Sequence, residues 1–136
     1  MDKVRVFEAF CEYWSQALAL ERLKEDHPEK FDFEVVGVSD IDKNALSAYK
    51  ALHGHCPNFG DITKIEWADV PDFDLFTYSF PCLSILPAGK REGLAEGSST
   101  KSSLLWECER AIREKKPKWL LMENVEALTF EKSLSE

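Results

Sequence analysis

Short β-forming runs alternate along this chain with stretches whose apolar residues return at helical spacing, and that alternation constrains the fold more than any other feature. Val4 and Val6 alternate with charged residues and lead into Glu8-Ala9-Phe10, which reads as a first strand. Tyr13, Ala17, Leu20 and Leu23 or Lys24 then fall at helical spacing, so a turn at residues 11–14 joins strand to helix. Residues 33–39 form a second strand that ends in Asp40-Ile41-Asp42. Asp42 is placed to cap a helix carrying Ala45, Leu46, Tyr49 and Leu52 on one stripe, and His53-Gly54 with Pro57 beyond ends it. Residues 58–62 read as a weak third strand or its exit loop, and an acidic, proline-containing stretch at 66–73 precedes a fourth strand at 74–80. Leu104, Leu105, Cys108, Ala111 and Ile112 mark a further helix that Pro117 stops, and residues 119–125 supply a fifth strand. Such alternation implies βαβ units, hence an α/β, doubly wound, mostly parallel sheet covered on both faces. A single domain over residues 1–128 is expected, with residues 129–136 as a polar tail.

The fourth strand delivers Cys82 into the loop beyond its C-terminal end, because Pro81 has no N–H with which to continue a ladder. That edge of an open α/β sheet is where ligands bind, so a thiol there is a candidate nucleophile; the competing reading is a small packed apolar residue. The following loop, residues 84–101, holds Gly89, Gly93 and Gly97 and is long enough to suggest a function. Cys11, Cys56, Cys82 and Cys108 are scattered without a CxxC pair, which argues for reduced thiols and against a zinc ribbon. His53-Gly54-His55-Cys56 lacks a second ligand pair and reads as a polar turn.

A net charge of −8 argues against a nucleic-acid binder, but the charge is uneven. Residues 89–118 hold eight bases against five acids, a net of +3, which leaves −11 on the remainder. A basic loop after Cys82 suits a phosphate backbone, whereas the bases from Arg110 to Lys118 read as solvated helix charges. No stretch approaches a membrane span and the N-terminus has no apolar signal region, so a cytoplasmic protein is expected.

Three acids fall at the C-terminal ends of successive strands, Asp40, Asp61 and Glu123. Together with Phe80-Pro81-Cys82, Ala88-Gly89-Lys90 and Glu123-Asn124-Val125, this order resembles the DNA cytosine-5 methyltransferases over residues 4–128. The resemblance implies a Rossmann-like five-stranded sheet in the order 3-2-1-4-5, S-adenosylmethionine as cofactor and DNA as partner. It implies that the Cys82 thiolate adds to C6 of a flipped-out cytosine, making C5 nucleophilic toward the cofactor's methyl group. Glu123 would hold the ring's N3 edge, with Pro81 and Asn124 shaping the site. Asp40 matches the acid that takes the cofactor's ribose hydroxyls and Asp61 the acid at its adenine, with Phe10, Ile41 and Ile62 as neighbouring cofactor positions.

The departures from the family pattern fall at functional positions. Phe10-Cys11-Glu12-Tyr13-Trp14 stands where the family has Phe-Ala-Gly-x-Gly, so an anionic and a bulky side chain replace the glycines that let the backbone approach the cofactor. Leu83 replaces the glutamine after the cysteine, Leu86 and Pro87 replace small or polar residues, and Lys101 stands where arginine is common. A further catalytic arginine motif, a target-recognition region and a segment completing the cofactor pocket have no room in 136 residues. The expectation is therefore a chain inactive on its own, whose exposed sheet edge pairs with a second copy or a complementary chain. The alternative is a non-catalytic binding or self-associating module, natural or redesigned, with Trp14, Leu83, Ile85 and Leu86 filling the former pocket or forming an interface.

Overall fold

A computed structural model describes residues 2–10, 15–54, 56–79 and 104–122. The strands are β1 (Val4–Ala9), β2 (Phe33–Ser39), β3 (Leu75–Tyr78) and β4 (Trp119–Met122), and the helices are α1 (Ser15–Asp26), α2 (Lys43–His53) and α3 (Leu105–Lys115). All ladders are parallel and the order is β2-β1-β3-β4, so the chain winds outward from β1 in both directions. A sheet wound this way opens a crevice outside the carboxyl ends of its central strands.

The alternation of side chains along β1 divides the core in two. Phe7 and Ala9 face a cluster containing Trp67, Phe73, Phe76, Cys108 and Ala111, which brings α3 onto that face of the sheet. The Phe7 ring lies 5.2 Å from Trp67, 5.3 Å from Phe73 and 6.1 Å from Phe76, centroid to centroid, at tilted or edge-on angles that aromatic quadrupoles favour. Ala17 of α1, Val38 of β2 and Tyr49 of α2 make a second, smaller cluster.

Local chemistry sets the helix ends. The Asp42 carboxylate accepts from the Asn44 and Ala45 amides at the start of α2, and Gly54, at φ 79°, closes it with its N–H on Lys50 O. At the end of α3, Lys116 takes a left-handed φ of 50° and donates to Ile112 O, one residue before Pro117. Leu23 and Leu52, expected on the buried stripes of their helices, are exposed.

The expected third strand is corrected. Asn58 forms only an isolated parallel bridge with Val38, so the described residues hold four strands rather than five. Pro57 accepts from Val38 N but has no N–H to extend a ladder, Gly60 turns the chain away at φ 75°, and Ile62–Lys64 wind into a 3-10 turn. No helix among the described residues is long and apolar enough to cross a membrane. The turn at 11–14, the loop at 84–101 and the tail at 129–136 lie outside the described residues.

Candidate functional site

The carboxyl ends of β1, β2 and β3 are tied to one another. Phe10 N donates to Ser39 O at 2.8 Å, and Ser79 Oγ donates to Phe10 O at 3.4 Å. Phe10 turns off the sheet at φ 60°, a conformation uncommon for an aromatic residue and typical of a sharp strand-to-helix turn. It also packs against the aromatic core.

Asp40 follows β2 directly. Its N–H donates to Asn58 Oδ1 at 3.4 Å, and its own carboxylate accepts from Asp42 N at 2.9 Å. Asn58 Oδ1 also accepts from Gly60 N at 2.9 Å, while Ser39 Oγ donates to Gly60 O at 2.7 Å. Ser39 and Asn58 thus pin the segment that carries Asp61 against the segment that carries Asp40. Sequence reasoning misses both; Asn58 two residues before a glycine is the one local signal that points to such a turn. Between the two acids of Asp40-Ile41-Asp42 stands Ile41, 75% exposed, an apolar side chain left facing solvent at the strand edge.

Asp61 caps the 3-10 turn. Its carboxylate accepts from Thr63 N at 2.9 Å and from Thr63 Oγ1 at 2.8 Å, and the bond from the Thr63 hydroxyl, foremost, lowers its pKa below the ordinary carboxylate value. Ile62 points into the core, so what it offers toward this edge is backbone. Its carbonyl and that of Ile65 both accept from Arg110 of α3, each at 3.0 Å.

Of the residues predicted from the sequence, Phe10, Asp40, Ile41, Asp61 and Ile62 all stand at the ends of β1 and β2 or in the turn after Asn58. Pro81, Cys82, Glu123 and Asn124 lie outside the described residues, as do Glu12 and Trp14. In sequence, Cys82 follows β3 and Glu123 follows Met122, the last residue of β4. The two described thiols are poor nucleophiles. Burial pushes the Cys56 thiol up to about 11 and the Cys108 thiol higher still. Among the described residues no group of three or more His, Cys, Asp or Glu side chains is arranged to hold a metal. His53 instead pairs through Nδ1 with Glu21 at 2.6 Å.

The bases of α3 are absorbed by partners on the protein. Arg113 pairs with Glu109 at 2.6 Å, Arg110 with Glu107 at 3.0 Å and Lys115 with Asp72 at 3.2 Å. Only Arg113 is the solvated helix charge that the spacing suggested; Arg110 reaches the carbonyls of Ile62 and Ile65, and Lys115 is buried against Val70 O and Asp72.

A parallel sheet ordered β2-β1-β3-β4, with Asp40 at the carboxyl end of β2, defines a Rossmann-like α/β domain. Solved structures carry the same fold. The Dnmt2 methyltransferase of S. pombe superposes with a TM-score of 0.72 over 98% of this chain and 38% of that one, at 18% identity. The chain belongs to the C-5 cytosine-specific DNA methylase family, whose profile matches residues 4–135. Type II methyltransferase M2.ScrFI of Lactococcus lactis subsp. cremoris is 36% identical across 92% of this chain and 48% of its own length. Type II methyltransferase M1.ScrFI of the same organism is 46% identical across 66% of this chain and 22% of its own length. The chain thus spans about half or less of the curated relatives it matches.

Proposed function

We propose that this chain is the cofactor-binding and nucleophile-bearing part of a DNA cytosine-5 methyltransferase, and that on its own it does not turn over. The observation that carries the reading is the edge where Asp40, the 75% exposed Ile41 and the Asp61 turn stand on segments pinned to each other. These residues fit the nucleoside end of S-adenosylmethionine. A carboxylate at the end of the second strand suits ribose hydroxyls, and an exposed aliphatic side chain beside it suits a flat adenine face. When bound, the cofactor supplies an electrophilic methyl group.

Cys82 is the nucleophile of this reading. Its thiolate would add to C6 of an extruded cytosine and push an electron pair onto C5, making C5 nucleophilic toward the methyl group that the cofactor would supply, with the cofactor's thioether as leaving group. Loss of the C5 proton then expels the thiolate and restores the ring. Glu123 holds the N3 edge and offsets the charge that develops there, with Pro81 and Asn124 shaping the site. DNA is the partner, with the DNA-contacting surface completed by a complementary chain or a second copy.

Glu12 and Trp14 oppose turnover by the isolated chain. They occupy glycine positions of the family's cofactor turn, where a Cβ and the side-chain atoms beyond it block close backbone approach. Calorimetric titration with S-adenosylmethionine tests the reading. The chain is expected to bind with a dissociation constant of about 1 mM, and the double variant Glu12→Gly, Trp14→Gly at least about tenfold more tightly. Absence of heat and of any thermal shift in both proteins sinks the proposal. Should a complementary chain restore methyl transfer to duplex DNA, Cys82→Ser is expected to abolish it while leaving cofactor affinity unchanged.

A further inference from the structure

Arg110 does more than complete the charge pattern of α3. Its guanidinium reaches 45 and 48 residues back along the chain, with Nη1 on Ile65 O and Nη2 on Ile62 O, each at 3.0 Å. Those carbonyls bracket the 3-10 turn Ile62–Lys64 that Asp61 caps. The turn has little holding it from within. Lys64 N donates to Asp61 O at 3.0 Å, but the closing bond from Ile65 N to Ile62 O is stretched to 3.4 Å, and isolated 3-10 turns are weak.

Glu107 accepts from Arg110 Nε at 3.0 Å and holds the fork in plane. A planar fork with both arms engaged restrains what it grips in a way that a lysine, with its compact ammonium on a flexible stem, does not reproduce. Packing supports the same contact, since α3 also lies against the turn Trp67–Asp69 that comes next in the chain.

We propose that Arg110 is a positioning residue for the cofactor site: it fixes the 61–65 turn from below and so sets where Asp61 stands relative to Asp40. The inference rests on the reading of Asp61 as a cofactor residue. Arg110 touches neither cofactor nor base in this role.

The test pairs cofactor affinity with a readout independent of it, in the full chain and in the variants Arg110→Met and Arg110→Lys. Amide hydrogen exchange at residues 62–66 is expected to speed up about tenfold or more in Arg110→Met, with β1 amides unchanged, as for opening of a local unit. The dissociation constant of S-adenosylhomocysteine is expected to rise about tenfold, the loss of one charged hydrogen-bonding group's worth of order. Arg110→Lys is expected to fall between the two, and it carries the decision should Arg110→Met fail to fold. If the cofactor product binds the unaltered chain and binds the variants equally well, or if exchange at 62–66 does not change, Arg110 has no positioning role. If it binds neither the unaltered chain nor the Glu12→Gly, Trp14→Gly chain, the cofactor reading falls and the positioning role with it; if it binds only the latter, the Arg110 variants are compared in that background.

Discussion

Glu8 is a carboxylic acid in the middle of the central strand, 2% exposed. Tyr49 Oη donates to its Oε2 at 2.5 Å, and the Ala17 amide in the first turn of α1 also faces it. Burial, the largest influence, raises its pKa above the ordinary glutamate value; the tyrosine bond and nearby His53 oppose that, and Glu21 adds to it. An acid whose folded pKa lies above its unfolded value holds a proton that the unfolded chain gives up. Stability therefore falls as pH rises from the unfolded value of 4.5 through the folded one, and the ionised form remains a cost at neutral pH. Glu8→Gln keeps an oxygen for Tyr49 and removes the ionisation. It is expected to raise the melting temperature near pH 7.5 by about 4 °C, roughly 1 kcal/mol for a chain of this size, with the gain shrinking toward about pH 4. A variant equally destabilised at both pH values would show that the charge is not the cost. Nothing local announces this residue, since its partner lies 41 positions away.

At the scale of elements, β1 and β2 fall out of simple register between Val6 and Phe7. Val6 pairs with Val35 but Phe7 pairs with Gly37, so Val36 is the extra residue of a bulge. Glycine is required there by crowding rather than by backbone angle. A Cβ on Gly37 would lie 2.7 Å from Phe59 Cε2 and 2.9 Å from Phe7 Cε2. Gly37→Ala is expected to cost about 1–3 kcal/mol, seen as a lower urea midpoint at unchanged m. Phe59→Leu in the same chain should recover part of the loss, and strict additivity of the two would mean that the rings are not what the methyl group meets. The elements legible in the sequence are those with local signatures: the strands, the Asp42 cap, the Gly54 terminus and the stop before Pro117. Asp40 is legible as an acid at a strand end for the same reason, whereas Asp61 caps a 3-10 turn rather than ending a strand. The groups that hold the two acids are not legible, because Ser39, Asn58 and Arg110 act across 21, 18 and up to 48 residues, and each reads locally as an ordinary polar surface residue. The third strand is misread because β-forming Phe59 and Ile62 face the core from an irregular segment, and burial of this kind leaves no period.

At the scale of the whole molecule, the sheet formed by the described residues is blunted at its β2 edge and unpaired at its β4 edge. Beyond β2, Pro57, Asn58 and Gly60 blunt the edge with a single bridge and a turn. β4 has no such device among the described residues: Trp119, Leu120, Leu121 and Met122 are between 45 and 52% exposed, on both faces of the strand, and β4 pairs there with β3 alone. Strands of a parallel sheet are normally covered on both faces, and a tetrad this apolar is costly to leave in water. Lys118 covers one face of the Trp119 ring, 5.5 Å from its centroid, and supplies a charge that favours solution. The expectation that follows is association through β4, either with a second copy or with a chain that adds a strand. For the isolated chain the first is measurable directly: static light scattering is expected to show a concentration-dependent rise above 15.6 kDa in the micromolar range. Added salt should strengthen it, since the net charge of −8 opposes self-association and is screened. Leu121→Lys places a charge on the strand itself and should return the chain to a monomer without lowering its melting temperature, because the residue is 46% exposed. A chain that stays monomeric to about millimolar concentration, or a Leu121→Lys variant that associates as before, would move the interface away from β4 and leave strand addition by a complementary chain as the use of that edge.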